Sequence, residues 1–284
     1  MNLAAYQLDI IHAGFLRHDG GAMFGIVPRN LWQRRIPPDE ENRIPLAMRC
    51  LLLRGHGRTI LIDNGLGDKY DERFGSIFGV DRVSFDLHRS LEAMGVAPHD
   101  ITYVILTHLH FDHAGGSTTR NAEGELTLTF PNATHHLQGA HWAWAHESPR
   151  EQASFLAENL DPLEASGKLN LLDGAETPFR GIRMIVVDGH TRGQQLPVIS
   201  GEEGTLLYAA DLLPTSAHIP LLWIMAYDVA PLDTLAEKKR VLDEVVEGEW
   251  MVFFEHDPEI ATGRIVQTDR GYAIEDARSD LDEA

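Results

Sequence analysis

The sequence predicts an α/β fold whose strands end in metal-binding side chains. Three observations predict it. Short apolar, β-branched runs recur, as in Tyr103-Val104-Ile105-Leu106, Ile182 to Val187 and Val252-Phe253-Phe254, and these read as buried strands. Amphipathic stretches lie between them: Phe85 to Met94 closes on Gly95, and Leu232 to Val246 keeps Leu235, Val241, Leu242 and Val245 on one face. The run at 103–106 then delivers His108, His110, Asp112 and His113 within six positions, followed by Gly115 and Gly116. Imidazole and carboxylate are the donors Zn²⁺ prefers, and four of them directly after a strand point to a metal site. His108 and His110 alternate, so an extended backbone points both to one face. One metal can take that pair and a second metal Asp112 and His113. The glycines give the loop its conformational freedom.

In chain order, a first strand is expected near Gln7 to Gly14. A loop-like segment, Asp19 to Pro28, follows with Met23 and Phe24, and Trp32 comes soon after. Apolar groups in such a stretch suggest a pocket wall or a subunit contact in a homodimer, with ordinary burial under the domain as the equal alternative. Ala47 to Arg54 and Thr59 to Ile62 read as a hairpin turned at Gly55-His56-Gly57-Arg58, ending at Asp63. Leu126 to Phe130 reads as a strand and Gln152 to Leu160 as a helix. His135, His136, His141 and His146 match no ligand spacing and are read as structural or surface residues. Trp142, Trp144 and Phe155 are read as packing groups. The acidic tail, 275–284, is expected to be solvated.

Size and composition set bounds. The chain has 284 residues and is read as one domain, 1–284, with residues 1–45 as an N-terminal segment. A formal charge of −19 disfavours nucleic acid and anionic membranes as partners. The single Cys50 excludes an intramolecular disulfide, and its apolar neighbours mark it as buried and inert. The N-terminus lacks the pattern of a signal peptide and no run is long enough to span a bilayer, so a cytoplasmic protein is expected.

His108-Leu109-His110-Phe111-Asp112-His113 resembles the His-x-His-x-Asp-His signature of the metallo-β-lactamase superfamily, a group of mostly dinuclear metallohydrolases. The resemblance extends over roughly residues 5–270. Asp188-Gly189-His190-Thr191-Arg192-Gly193 is similar to that family's Gly-His-Thr turn, Asp211 stands at a strand tip where the family has a bridging Asp, and His256 follows Val252-Phe253-Phe254. The resemblance implies a four-layered αβ/βα sandwich with a dinuclear site at one edge of the sheets. It implies that His108, His110 and His190 hold one divalent metal, that Asp112, His113 and His256 hold another, and that Asp211 bridges them. Asp63 would support the site from behind. Zinc is the first expectation for both metals, with iron, manganese or cobalt also compatible with these donors.

Such a pair of cations lowers the pKa of a shared water and polarises the bond under attack, which implies a hydrolase. Asp112 would carry a proton to the leaving group. His110, where oxygen-reducing relatives have Glu, argues against redox chemistry. The missing basic arm argues against a nuclease or phosphodiesterase. An intact donor set argues against a non-catalytic metal-binding protein. The chain most resembles the N-acyl homoserine lactonases, which are quorum-quenching enzymes, and the methyl parathion hydrolases, which cleave organophosphate triesters. The substrate implied is a small ester, lactone or phosphotriester. Lactonases commonly place a Tyr three residues after the bridging Asp. Here that residue is Pro214, leaving Tyr227 or His218 as substitutes. Met23, Phe24, Trp32 and Trp223 are expected to line an apolar pocket.

Overall fold

The computed structural model describes residues 1–281. The first half of the chain builds β1 (Asn2–Leu3), β2 (Tyr6–Asp19), β3 (Arg43–Gly55), β4 (Arg58–Ile62) and β5 (Tyr103–Ile105). A small ribbon of β6 (Thr118–Arg120) and β7 (Leu126–Leu128) comes next, then β8 (Thr134–Gln138) and β9 (Leu169–Leu172). The second half adds β10 (Ile182–Val187), β11 (Gln194–Gly201), β12 (Gly204–Tyr208), β13 (Met251–Phe253), β14 (Thr262–Thr268) and β15 (Gly271–Arg278). The helices are α1 (Gly20–Phe24), α2 (Arg29–Trp32), α3 (Glu72–Ile77), α4 (Leu87–Ala93), α5 (Phe111–Ala114), α6 (Gly139–Glu147), α7 (Ala157–Ser166) and α8 (Pro231–Glu247).

Two sheets result, ordered β1-β2-β3-β4-β5-β8-β9 and β10-β11-β12-β13-β14-β15. The period of two along each strand decides what lies between them. Leu51 and Leu53 of β3, Ile60 and Ile62 of β4 and Ile105 of β5 join one core with Met184, Val187, Val198 and Tyr208 of the second sheet. Their alternates, Cys50, Leu52, Leu61 and Val104, face a second core closed by Leu87 and Leu91 of α4 and Leu160 and Leu163 of α7. Val241, Leu242 and Val245 bring α8 onto the second sheet. The order is helix, sheet, sheet, helix, a four-layered αβ/βα sandwich. β4 and β5 run parallel, as do β12 and β13, so the ends of neighbouring strands share an edge. No helix among the described residues is long and apolar enough to cross a membrane.

Several elements differ from the sequence reading. β2 runs on to Asp19 through a bulge between His12 and Phe15. Gly14 sits there at φ +119°, and a Cβ would lie 2.9 Å from Asp81 O. The loop expected at 19–28 opens with α1, because the Asp19 carboxylate accepts from Ala22 N at 2.8 Å. Asp86 likewise starts α4 two residues after Phe85, accepting from His88 N and Arg89 N. The helix expected over 152–160 is instead α7, ending on left-handed Gly167. Residues 148–151 are spent on a side-chain turn, with Ser148 Oγ donating to Glu151 Oε2 at 2.9 Å. Pro162 inside α7 leaves the Glu158 carbonyl without its helical donor, and the Thr118 hydroxyl supplies one at 2.9 Å. The acidic tail is not simply solvated. Glu275 to Arg278 pair with β14 in β15, and Leu281 is buried; residues 282–284 of that expectation lie outside the described residues.

Cys50 is fully buried, and burial pushes its thiol up. His135 is fully buried too, and both ring nitrogens lack a hydrogen-bond partner among the described residues. Burial pushes its pKa down to about 4. An unfolded imidazole titrates near 6.5. Below that pH the unfolded chain takes up a proton that the folded chain refuses. Stability is therefore present in full above pH 6.5 and falls as pH drops towards 4, by roughly 3 kcal/mol from this residue. Denaturant midpoints measured from pH 7.5 to 4.5 should show that slope, and His135→Leu should flatten it.

Candidate metal centre

The edge where β5, β10, β12 and β13 end carries the chemistry. His108 and His110 lie in the turn after β5, and α5 supplies Asp112 and His113 within its first turn. His190 follows β10, Asp211 follows β12, and His256 follows β13. All seven are buried. Gly115 and Gly116 are needed for close packing rather than for unusual torsions. A Cβ on Gly115 would lie 2.3 Å from Leu66 O, and one on Gly116 2.2 Å from Asn64 O.

The ring nitrogens crowd each other. His108 Nε2 and His190 Nε2 stand 3.1 and 3.2 Å from His110 Nδ1, and His256 Nε2 stands 3.0 Å from His113 Nε2. Each ring's other nitrogen faces an acceptor. His110 Nε2 lies 2.9 Å from Glu151 Oε1, and His190 Nδ1 2.9 Å from Asp228 Oδ1. His256 Nδ1 lies 2.7 Å from Ala47 O, and His113 Nδ1 3.1 Å from both Asp63 Oδ2 and Glu255 Oε2. His108 Nδ1 faces Thr107 Oγ1 at 3.0 Å, whose own hydrogen goes to Asp63 Oδ2 at 2.6 Å. A neutral imidazole has one N–H and one lone pair. With every N–H turned outward, five neutral rings would point their lone pairs inward, an arrangement that calls for positive charge among them, carried by protons in the metal-free chain or by metal cations in their place. Asp211 adds a carboxylate whose Oδ1 is buried and has no hydrogen-bond partner among the described residues. The donor set therefore fits cations, and fits two. One cluster is His108, His110, His190 and Asp211; the other is Asp112, His113 and His256, with donor atoms within 4.8 Å of one another in each. Asp211 also reaches the second cluster, with Oδ1 3.2 Å from His256 Nε2 and Oδ2 3.5 Å from His113 Nε2.

The surrounding charge favours cations as well. Burial opposes charge on His256, but the Asp211 carboxylate outweighs it and lifts its pKa to about 9. Burial raises Glu151, yet hydrogen bonds from His110, Thr191 and Trp144 hold it at about 2, a fixed anion behind the ring. Asp63 is held at φ +53°, where its carboxylate accepts from Thr107 N at 2.7 Å as well as from the Thr107 hydroxyl. Outward partners of this kind orient metal ligands and raise their basicity. Asp228→Ala should weaken metal binding roughly 10–100-fold without unfolding the chain. Competition with a chromophoric chelator measures it, and unchanged affinity would contradict the role.

The sequence reading placed Asp63 behind the site, and its carboxylate lies against His113. It missed Glu151, Asp228 and Glu255, lone acids whose partners lie far along the chain, although Glu255 stands directly before His256. It set aside His141, whose Nε2 accepts from Leu109 N at 2.9 Å and whose Nδ1 donates to Arg192 O at 2.7 Å. That ring ties the loops of His108 and His190 together.

Five of the donors, His110, Asp112, His190, Asp211 and His256, form the floor of a cavity of about 280 Å³. Met23, Leu46, Phe78, Phe111 and Met225 give it apolar walls, and His18, Tyr227, Arg150 and Ser154 give it polar points. Of the expected pocket residues, Met23 and Tyr227 line it. Phe24, Trp32, His218 and Trp223 do not. They form an aromatic stack behind the wall: Phe24 lies on Trp32 at 5.2 Å and on His218 at 4.7 Å, with Trp223 edge-on at 5.7 Å. Their mutual packing takes them out of the cavity, and burial of Phe24 and Trp32 within the chain leaves neither for a subunit contact. His218 has spent both nitrogens, on Thr215 Oγ1 and Met23 O, each at 2.8 Å.

Comparison with known proteins agrees with this architecture. The sequence profile of the Metallo-beta-lactamase superfamily matches residues 45–283. An N-acyl homoserine lactonase of Bacillus cereus is 25% identical over 238 residues, 78% of this chain and 86% of its own length. A crystal structure of a probable metal-dependent hydrolase from Staphylococcus aureus superposes with a TM-score of 0.89 and 30% identity, covering 100% of this chain and 99% of that one. AidC, a dizinc quorum-quenching lactonase in complex with a product, shares the fold at a TM-score of 0.78 and 22% identity, covering 97% and 95%. A profile match over most of the chain and an end-to-end superposition carry the assignment: this protein belongs to the metallo-beta-lactamase superfamily and is a metal-dependent hydrolase.

Proposed function

We propose that this chain opens lactone rings of the N-acyl homoserine lactone type, using two divalent cations. His108, His110 and His190 would hold one and Asp112, His113 and His256 the other, with the Asp211 carboxylate within reach of both clusters. The observation that carries the reading is the contrast within one cavity: apolar walls from Met23, Leu46, Phe78, Phe111 and Met225 over a floor of His110, Asp112, His190, Asp211 and His256. Such walls suit an acyl chain, and the floor suits one polar, cleavable group. Lactonase relatives support the same substrate class. Zinc fits the donors best, and iron, manganese or cobalt are accepted by the same atoms.

What the cations supply when bound is an acidified water and a polarised carbonyl. The chain supplies the rest. The apolar walls exclude bulk water from the scissile bond. Asp112 lines the cavity beside His113 and His256, its Oδ2 3.9 and 3.7 Å from their Nε2 atoms. Its carboxylate takes the proton released as water attacks and returns it to the leaving alkoxide.

A second reading, hydrolysis of an uncharged organophosphate triester, is favoured by Pro214, which provides no side-chain donor beside Asp211. One experiment separates the two. Zinc-loaded protein is given N-decanoyl homoserine lactone and methyl paraoxon in parallel, with a metal-stripped control. Metal-dependent lactone turnover well above triester turnover is expected. The reverse preference would replace the lactonase reading with the triesterase one, and turnover of neither would discard both.

A further inference from the structure

The turn after Asp211 offers no free side-chain donor to the cavity. Pro214 has none, and Thr215, Ser216 and His218 are engaged with one another, with Asp257 and with Met23 O. The cavity has another candidate in its lining. His18, near the end of β2, lines it together with Asp112, Asp211 and Tyr227. The ring is stacked on Phe111, with centroids 6.3 Å apart and planes 13° apart, and it leans on Phe78 at 5.5 Å. Tyr227 meets it edge-on at 89°, with its hydroxyl oxygen 3.3 Å from His18 Nδ1. Aromatic groups thus fix the ring on three sides. Its remaining polar atom, Nε2, is buried and has no hydrogen-bond partner among the described residues.

A buried polar atom left unpaired has lost its hydration without gaining a partner. Such a loss at the wall of a ligand cavity is recovered when a ligand supplies the partner. The geometry points to His18 Nε2–H as a hydrogen-bond donor to the scissile carbonyl oxygen, with Tyr227 as the positioning residue that sets the tautomer. This rests on the ester or lactone reading above. Under this proposal the Tyr227 hydroxyl is assigned as donor to Nδ1, which places the single proton of the neutral ring on Nε2. Burial pushes the Tyr227 hydroxyl up to about 12, which keeps its proton in place at neutral pH. Burial also lowers the His18 pKa, which keeps the ring neutral with one N–H to give. As water adds to the carbonyl carbon, negative charge grows on the carbonyl oxygen, and a donor fixed in an apolar setting is worth most at that moment. No proton is transferred by His18.

The test compares His18→Gln, His18→Leu, Tyr227→Phe and the His18→Leu/Tyr227→Phe double variant, all zinc-loaded. The amide nitrogen of Gln reaches the position of ring Nε2, whereas Leu keeps bulk without a donor. His18→Leu should lower kcat roughly 10²-fold, the cost of losing one such donor, with KM nearly unchanged. His18→Gln should recover most of that loss. Tyr227→Phe should cost less, and should cost nothing further in the His18→Leu background. Metal content and a melting curve accompany each variant. A folded, two-metal His18→Gln as slow as His18→Leu overturns the proposal, as does a change in KM alone or an additive effect of Tyr227→Phe. Should the protein prefer methyl paraoxon, the lactone reading fails separately. The same series then runs on the triester, whose phosphoryl oxygen takes the place of the carbonyl oxygen.

Discussion

Asp112→Asn should cost turnover about 10²–10⁴-fold while leaving KM within a few-fold of its native value. Burial pushes the Asp112 carboxyl up, but His113 and His256 outweigh it and hold it below the ordinary carboxylate range. It is therefore ionised at neutral pH and able to take a proton. Asn keeps an oxygen of the same shape for a cation but cannot accept and return a proton. Loss confined to kcat, with two metals per chain retained, is the expected pattern. Equal losses in kcat and in substrate binding would show that the side chain holds substrate or metal instead.

Asp211→Ala is the more severe change. Its carboxylate stands 3.2 Å from His190 Nε2 through Oδ2 and 3.2 Å from His256 Nε2 through Oδ1, reaching both clusters. Removing it takes a negative charge from between two positive sites in a buried pocket. Breaking a buried charge pairing typically costs 3–5 kcal/mol, which corresponds to roughly 10²–10⁴ in affinity for one of the metals. The variant should retain about one tightly held metal per chain, and turnover should fall by at least ~10³ because the proposed chemistry draws on both sites. Metal analysis after dialysis and steady-state assays at fixed zinc measure this. Two metals held as tightly as in the native chain would contradict a bridging role.

The edge of donors was legible because each donor comes after a strand that advertises itself. Tyr103 to Leu106, Ile182 to Val187 and Val252 to Phe254 are apolar enough to be buried whatever surrounds them, and the residues next along the chain must then sit at a sheet edge. One strand that escaped reading did so because it is polar. β11 opens with Gln194 and Gln195 and contains Pro197, yet it is buried. Gln195 can be there because its amide donates to Leu106 O at 2.8 Å and accepts from Gln138 at 2.9 Å. Those partners lie 89 and 57 positions away, so no local pattern announces them. The same holds for Glu151 and Asp228, placed against His110 and His190 from 41 and 38 positions away. The aromatic residues show a different limit. Phe24, Trp32 and Trp223 are apolar enough for a pocket wall, but here they pack on one another and on His218 behind it, and Met23 and Met225 face the cavity instead. His18 looks like an ordinary strand residue in the sequence. Only its orphaned Nε2, visible in three dimensions, marks it.

Stepwise zinc titration of metal-stripped protein, with bound metal and lactone turnover read on the same samples, tests the paired donor clusters most directly. The arrangement of five inward imidazole nitrogens around Asp211 predicts saturation at two zinc per chain, with turnover rising mainly as the second equivalent binds. Saturation at one zinc with full turnover, or full turnover with none, would contradict it.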